Sequence, residues 1–316
     1  MGYKTPKGQN NHLPSAFRSE FQALDHSPPT IVRSPEEVLK SIDRARGVFD
    51  RHGVRIRQGN TLDRVFANTT SRLRGNKVVT AIGEIDNNFV SILASAIVAF
   101  ADEPGIKGAL EKISGSDVAT SSRRQSPGKD VIWELTMLAT LRMSGISSWL
   151  AEPDVVADFG FGNYGFACKK IYSENSVEKA IKKGIDQLAG AKLRGVVAIN
   201  LDELIVPPNR ILYASHPDHL RHILQDYIFK FMERHGATLR RYAPNDVCDG
   251  YIIHLSASGL MLHAGRVQPV TVNVIHDPSV GESEHGRRLD SLGRKLGNAD
   301  GLPDWVKAAG GATSNW

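Results

Sequence analysis

The first third of the chain carries apolar residues at helical spacing. Val38, Ile42, Ala45 and Phe49 follow one another at intervals of three or four, which places them on one face of a helix. Residues 34–37 (Ser-Pro-Glu-Glu) begin this helix, because serine is a good N-cap, proline suits the first turn and glutamate completes a capping box. Three more helices are predicted by similar patterns over residues 60–73, 87–102 and 104–114.

The pattern changes near residue 128, where predicted helices begin to alternate with short apolar strands. The predicted helices cover residues 131–141, 176–189 and 216–235, and the predicted strands cover 155–159, 164–168, 194–200, 251–255 and 270–275. Such alternation is typical of an α/β fold, here an α+β three-layer core with a mixed sheet flanked by helices. We therefore expect four parts, namely a flexible arm at 1–30, an all-α bundle domain at 31–115, a linker at 116–127 and the sheet domain at 128–316.

The strands at 155–159 and 164–168 are separated by glycines and an asparagine, which is typical of a hairpin. If the turn centres near residues 161 and 162, Asp154 lies opposite Lys169. Side chains alternate along a strand, so that one face carries Asp154, Val156, Asp158, Gly165, Ala167 and Lys169. A carboxylate and an ammonium on such a small, apolar face cost free energy unless they are paired or used.

These residues resemble the core of the PD-(D/E)xK nuclease superfamily, which has the restriction-endonuclease-like fold. Pro153-Asp154 matches the first half of the motif, and Lys169 matches the lysine of the second half. Glu134, on the preceding helix, matches a glutamate that the superfamily often places there, and Gln187 matches a glutamine sometimes found on the following helix. The resemblance extends roughly over residues 128–200 and implies hydrolysis of phosphodiester bonds.

The resemblance also implies a divalent cation, Mg²⁺ or Mn²⁺, held by hard oxygen ligands. Asp154 is the expected anchoring ligand, with the carbonyl of Cys168 as a second and Glu134 as a third, directly or through water. Lys169 is expected to orient the attacking water and to stabilise charge that develops on the phosphoryl group.

One position departs from the family pattern. The acid expected two residues before the lysine is Ala167 in this chain, so that the metal loses one expected ligand. Asp158 on the same predicted face could supply the missing oxygen, as could Asp186 or Gln187 from the following helix. The sequence leaves these three alternatives open.

The remaining composition is that of an ordinary soluble protein of 316 residues, with a net charge of +5 that favours an anionic partner. The two cysteines form no CxxC motif, and we interpret Cys168 as a small core residue. The amino terminus lacks the apolar stretch of a secretory signal, and the longest apolar run, 89–101, is too short to span a bilayer. We therefore expect a cytoplasmic protein with no membrane partner.

Three functional classes follow from these observations. The first is a Mg²⁺-dependent deoxyribonuclease acting on DNA, with RNA left open as a substrate, which by resemblance serves in bacterial defence against foreign DNA. The second is a nucleic-acid-binding module that has lost its metal site, a class that Ala167 favours. The third is an adaptor that binds a protein partner through its amino-terminal helical domain. A homodimer is compatible with all three.

Overall fold

The computed structural model describes residues 21–24, 34–75, 80–206, 211–278 and 283–297. Within these ranges one mixed sheet runs through the molecule. Its strands are β1 (Phe21–Leu24), β2 (Ser148–Ala151), β3 (Asp154–Asp158), β4 (Asn163–Lys170), β5 (Gly195–Asn200), β6 (Leu212–Ala214), β7 (Cys248–Met261) and β8 (Arg266–His276). The strand order is β1-β8-β7-β5-β4-β3-β2, and β6 pairs with the far end of β7.

The centre of the sheet is parallel and its edges are antiparallel. Strands β4, β5 and β7 run parallel to one another, so that their carboxyl ends meet at the same edge. Strands β2, β3 and β4 form an antiparallel meander on one side, and β7, β8 and β1 form another on the opposite side. This topology places the carboxyl end of β4 next to the start of β3.

Helices cover both faces of the sheet. They are α1 (Pro35–Arg51), α2 (Thr61–Arg74), α3 (Ala81–Ala99), α4 (Ile106–Gly115), α5 (Pro127–Met143), α6 (Val177–Ala191), α7 (Asp202–Ile205), α8 (Pro217–Tyr242) and α9 (Glu284–Gly297). One hydrophobic cluster joins α1–α5 and α9 to one face, and a second joins α6 and α8 to the other. The predicted three-layer fold with a helical amino-terminal part is therefore confirmed.

The predicted helix starts in the first third are mostly correct. Ser34 caps α1 through its side chain and forms the expected capping box with Glu37, and Asn60 caps α2. Helix α3 begins earlier than predicted, because Thr80 caps it. Asp86 lies inside the helix and accepts hydrogen bonds from Arg72 and Thr120.

The expected domain boundaries do not coincide with breaks in packing. Helices α1–α4 share one hydrophobic cluster with α5 and with strands β3, β4 and β5, so they cover the sheet instead of forming a separate core. The expected linker is anchored, since Val118 is buried and Arg123 donates hydrogen bonds to the backbone carbonyls of Asp202 and Glu203. Residues 21–24 of the expected arm pair with β8, and the rest of that arm lies outside the described residues.

Among the described residues, one helix is long and apolar enough to cross a membrane by length and composition, namely α3. This helix packs into the core through Val90, Leu93, Ala94 and Ile97, all of which are buried. Its buried side chains pack against neighbouring helices and the sheet, whereas Ile82 and Ile92 of the same helix are exposed.

Candidate active site

The hairpin of β3 and β4 has the predicted faces but a different register. Val155 pairs with Phe166 and Val156 with Gly165, so that Asp154 lies beside Ala167 and not opposite Lys169. The difference from the predicted register is two residues. A shift of two residues preserves the face of every side chain, and Asp154 and Lys169 therefore still point to the same side of the sheet.

Asp154 and Lys169 meet where β3 begins and β4 ends. The Asp154 Oδ2 atom accepts a hydrogen bond from the Cys168 N–H at 2.7 Å and one from Lys169 Nζ at 2.9 Å. Lys169 Nζ also donates to the Cys168 carbonyl at 2.7 Å. Strand β3 starts at Asp154, so the Asp154 side chain, instead of a backbone carbonyl of β3, accepts the hydrogen bond from the Cys168 N–H. The same carboxylate oxygen fixes Lys169.

Gln187 reaches the same carboxylate from α6. Its Nε2 atom donates to the Pro153 carbonyl at 3.1 Å and lies 3.4 Å from Asp154 Oδ1. Its Oε1 atom is buried and has no hydrogen-bond partner within the part of the chain that the structure describes. A buried amide oxygen without a donor costs free energy, so this atom is an acceptor that a ligand, a water or a cation could satisfy.

Glu134 approaches from the helix on the other side of the sheet. Val131, Leu135 and Leu138 anchor α5 to the core, whereas Ile132 is only partly buried. Burial and, next, the negative charge of Asp154 raise the pKa of Glu134 from its ordinary value of 4.5 to about 7. Among the described residues its carboxyl group has no hydrogen-bond or ion-pair partner.

Burial also raises the pKa of Asp154, although the adjacent Lys169 ammonium opposes this shift. The Cys168 thiol is buried with a pKa well above its ordinary value, first because of burial and then because Asp154 and Glu134 lie close by. A buried thiol with a raised pKa is a poor nucleophile. Cys168 therefore contributes its backbone N–H and carbonyl to the site, and its side chain belongs to the core, as predicted.

Two candidates for the missing ligand lie elsewhere. Asp158 is at the opposite end of β3, about 13 Å along the strand from Asp154, where it is exposed and accepts a hydrogen bond from the Gly160 N–H at 2.7 Å. Asp186 is exposed on α6. The structure thus corrects the prediction for Asp158 as a metal ligand and leaves Gln187 as the alternative that reaches Asp154.

The Ala167 methyl group is fully buried against α6. A Cβ atom placed on Gly184 of that helix would lie 3.5 Å from the Cβ of Ala167 and 2.9 Å from a methyl group of Val197. The helix therefore packs closely over the position where the family pattern expects an acid. A longer side chain at residue 167 has no open space in front of it.

Sequence reasoning missed Asp130, which lies one helical turn before Glu134. Burial raises the pKa of Asp130, and its Oδ1 atom accepts a hydrogen bond from the Tyr172 hydroxyl at 2.9 Å. The positive charges of Lys170 and Lys169 act on this carboxyl group as well. The signal was present, because two acids four residues apart share one face of an otherwise apolar helix.

The donor atoms at this site are hard oxygens. Among the described residues no three His, Cys, Asp or Glu side chains converge as a ready-made metal cluster. Mg²⁺ and Mn²⁺ nevertheless need few protein ligands, because they retain several waters. The unpaired carboxyl group of Glu134, the unsatisfied Oε1 of Gln187 and the carboxylate of Asp154 form a donor set that fits such a cation.

No family model, curated protein or solved structure matches this chain. The functional interpretation therefore depends on the geometry and electrostatics of the residues themselves. The chain brings Asp154, Lys169 and Gln187 into hydrogen-bonding contact and places Glu134 within electrostatic reach of the first two.

Proposed function

We propose that this protein is a divalent-metal-dependent nuclease that hydrolyses phosphodiester bonds of DNA, with the site of the PD-(D/E)xK superfamily. One observation carries the proposal: a buried acid without an ion-pair partner among the described residues, Glu134, lies within electrostatic reach of the ion pair of Asp154 and Lys169 at the end of a strand. An unpaired buried acid lowers stability, and such groups cluster at functional sites.

Each residue has a distinct part in this proposal. Asp154 is held by the Cys168 N–H, by Lys169 and by Gln187, so its position is fixed before any substrate arrives. Lys169 presents a positive charge, itself fixed by Asp154 and the Cys168 carbonyl, that can stabilise negative charge on a phosphoryl group. Glu134, with a pKa of about 7, can accept the proton of an attacking water at neutral pH.

Asp154, Glu134, the amide oxygen of Gln187 and the Cys168 carbonyl are the residues that would hold Mg²⁺ or Mn²⁺. When bound, such a cation polarises the phosphoryl group and lowers the pKa of water. The positive charge of a cation would also oppose the upward shift of the Glu134 pKa, because that shift comes from burial and from the charge of Asp154.

The direct test is cleavage of plasmid DNA and of RNA by the purified protein in Mg²⁺ or Mn²⁺. We expect cleavage of DNA by the wild type and a loss of about 100-fold or more in Asp154→Ala and in Lys169→Ala, with Tm nearly unchanged. Full cleavage by either variant at an unchanged Tm would overturn the assignment.

Lys170→Ala is the matched control. Lys170 is the next residue on β4 but faces the other side of the sheet, where it donates to Asn200 and lies 3.8 Å from Asp202. Its replacement should lower Tm through the loss of these contacts and leave cleavage at a permissive temperature much less affected than Lys169→Ala does. Equal losses of activity in the two lysine variants would indicate general destabilisation.

A second candidate function is a silent nucleic-acid-binding module, or an adaptor for a protein partner, on the same fold. The burial of Ala167 against α6 favours it, because the acid of the family pattern cannot be accommodated there. Wild-type protein that is inert with both cations but binds DNA in EDTA would support the nucleic-acid module. Failure to bind DNA as well would leave the adaptor.

The proposal places the protein in the cytoplasm, where a DNA-cleaving enzyme meets foreign DNA in a bacterial cell. It is supported by the core packing of Val90, Leu93, Ala94 and Ile97 of the apolar helix α3. Sequestration of the tagged protein in a membrane fraction would contradict this placement.

A further inference from the structure

A second cluster of charged residues lies at the other end of the sheet, where β4, β5 and β7 begin. It is about 20 Å along β4 from Lys169 and shares no residue with the candidate active site. A pocket of about 460 Å³ opens there between the β3–β4 hairpin and α9. It is lined by Phe161, Asn163, Tyr164, Arg194, Glu284, Arg287, Arg288 and Ser291.

Three residues that line this pocket, Tyr164, Arg194 and Arg288, converge on one buried carboxylate. Asp249 is fully buried and accepts hydrogen bonds from the Tyr164 hydroxyl at 2.9 Å, from His285 at 2.8 Å and from two nitrogens of Arg288 at 2.7 and 2.8 Å. Arg194 lies 3.6 Å from the same carboxylate. Asp249 therefore fixes guanidinium groups from two different elements around one opening.

Two of the three lining arginines keep hydrogen-bond donors for a ligand. Arg194 is 40% exposed and uses one nitrogen toward Asp249. Arg287 is exposed on α9, and its side chain has no hydrogen bond or ion pair among the described residues. Arg288 is occupied by Asp249 and by Glu284, the one acid that lines the pocket.

An aromatic ring stands beside these arginines. Phe161, at the tip of the hairpin, is 48% exposed. One face of its ring stacks on Phe159 at 5.8 Å between centroids, and the edge of Tyr164 supports it at 5.8 Å. The ring is thereby held rigid with part of its surface open to solvent, which is the arrangement of a stacking platform for a nucleobase.

We propose that this pocket binds a nucleotide, with its phosphate held by Arg287 and Arg194 and its base stacked on Phe161. Guanidinium groups match phosphate oxygens in charge and geometry, and a rigid aromatic ring accepts any base. The three arginines outnumber Glu284 and Asp249, so the pocket carries net positive charge without counting His285. This site is separate from the proposed nuclease centre and does not depend on it.

The test is calorimetric titration of the full chain carrying Asp154→Ala, in EDTA, so that neither cleavage nor metal contributes. AMP is the ligand, and inorganic phosphate and adenosine are its two halves. Arg287→Ala should weaken the binding of AMP and of phosphate by about tenfold, because a charged hydrogen-bond partner is lost. Phe161→Ala should weaken the binding of AMP and of adenosine by about fivefold and leave the affinity for phosphate unchanged. Glu284→Gln should strengthen the binding of phosphate by about threefold.

Arg294→Ala is the matched control, because Arg294 is exposed on the same face of α9 two turns beyond Arg287 and outside the pocket. It should change AMP affinity by less than about twofold. The proposal is overturned if AMP does not bind, or if Arg287→Ala binds AMP as the wild type does. Equal losses in Arg287→Ala and Arg294→Ala would also overturn it, since they would indicate attraction to a basic surface without a pocket.

Discussion

Two buried aspartates, at opposite ends of the same sheet, have opposite surroundings. Asp249 accepts hydrogen bonds from Tyr164, His285 and Arg288, and these donors hold its pKa below the ordinary value although burial opposes them. Asp154 has fewer donors, and burial raises its pKa despite the ion pair with Lys169. The donors around Asp249 outweigh the cost of burying its charge, and those around Asp154 do not.

The neighbours of Asp154 extend this difference. Glu134 lies close enough for the two negative charges to repel, and the Oε1 atom of Gln187 is buried without a donor. Both features lower the stability of the folded protein. The comparison indicates that the Asp249 cluster stabilises the attachment of α9, whereas the Asp154 site retains buried polar groups at a cost in stability, a pattern that is typical of functional sites.

Asp249→Asn should produce the largest loss of stability. The substitution leaves the buried Arg288 guanidinium without its counter-charge, and breaking such a pair costs about 3–5 kcal/mol. Asp154→Asn, the matched change at the other end of the sheet, also removes the counter-charge of a largely buried cation, Lys169. We expect a smaller loss of about 1–2 kcal/mol, because the donors around Asp154 do not offset the cost of burying its charge, whereas those around Asp249 do. Urea unfolding of both variants at pH 7 measures the difference, and equal losses would remove the contrast between the two sites.

Glu134→Gln should increase stability while it decreases cleavage. A raised pKa means that the folded protein binds this proton more tightly than the unfolded chain, so the free energy of unfolding falls as pH rises from about 4.5 to about 7. Glutamine mimics the protonated acid and should add up to about 3 kcal/mol at pH 8 and little at pH 4. Measuring the free energy of unfolding at the two pH values checks the gain in stability, and measuring cleavage rates checks the loss of activity. A variant that is less stable at pH 8 would show that Glu134 is a structural residue.

Ala167→Glu should destabilise the protein by about 2 kcal/mol, because the added atoms press against the closely packed α6. We expect no gain in Mn²⁺ affinity, since Gln187 already reaches Asp154 through its Nε2 atom and its amide carries an unsatisfied oxygen, Oε1. Calorimetric titration of Mn²⁺ into the wild type and the variant measures this. Tighter binding together with faster cleavage would instead mean that the natural site is impaired by the missing acid.

Asp158→Ala should have the smallest effect. Its carboxylate is exposed and makes a local hydrogen bond to Gly160 in the hairpin turn, so we expect a loss of about 0.5 kcal/mol. Mn²⁺ affinity and cleavage should match those of the wild type, in contrast to Asp154→Ala four residues earlier on the same strand. A loss of metal binding in Asp158→Ala would contradict the position that the structure gives this residue.

The candidate site could be predicted only in part. The alternation of side chains placed Asp154 and Lys169 on one face, and this survived an error of two residues in register because the period of a strand is two. The choice among Asp158, Asp186 and Gln187 could not be made in advance, since it depends on which end of β3 meets α6. Asp249 and Arg288, separated by 39 residues, carried no local signal of their contact.

The sequence by itself determined the local elements: the capped helices α1 and α2, the glycine turn between β3 and β4, and the alternation of helix and strand that gives a three-layer fold. These depend on side-chain periodicity and on backbone preferences, which act over a few residues. Only the tertiary structure decided that α1–α4 cover the sheet, that α6 closes over Ala167, and which acids remain unpaired. An apolar helix face has the same pattern whether it packs on a helix or on a sheet, and the pKa of a carboxyl group depends on neighbours that only folding brings together.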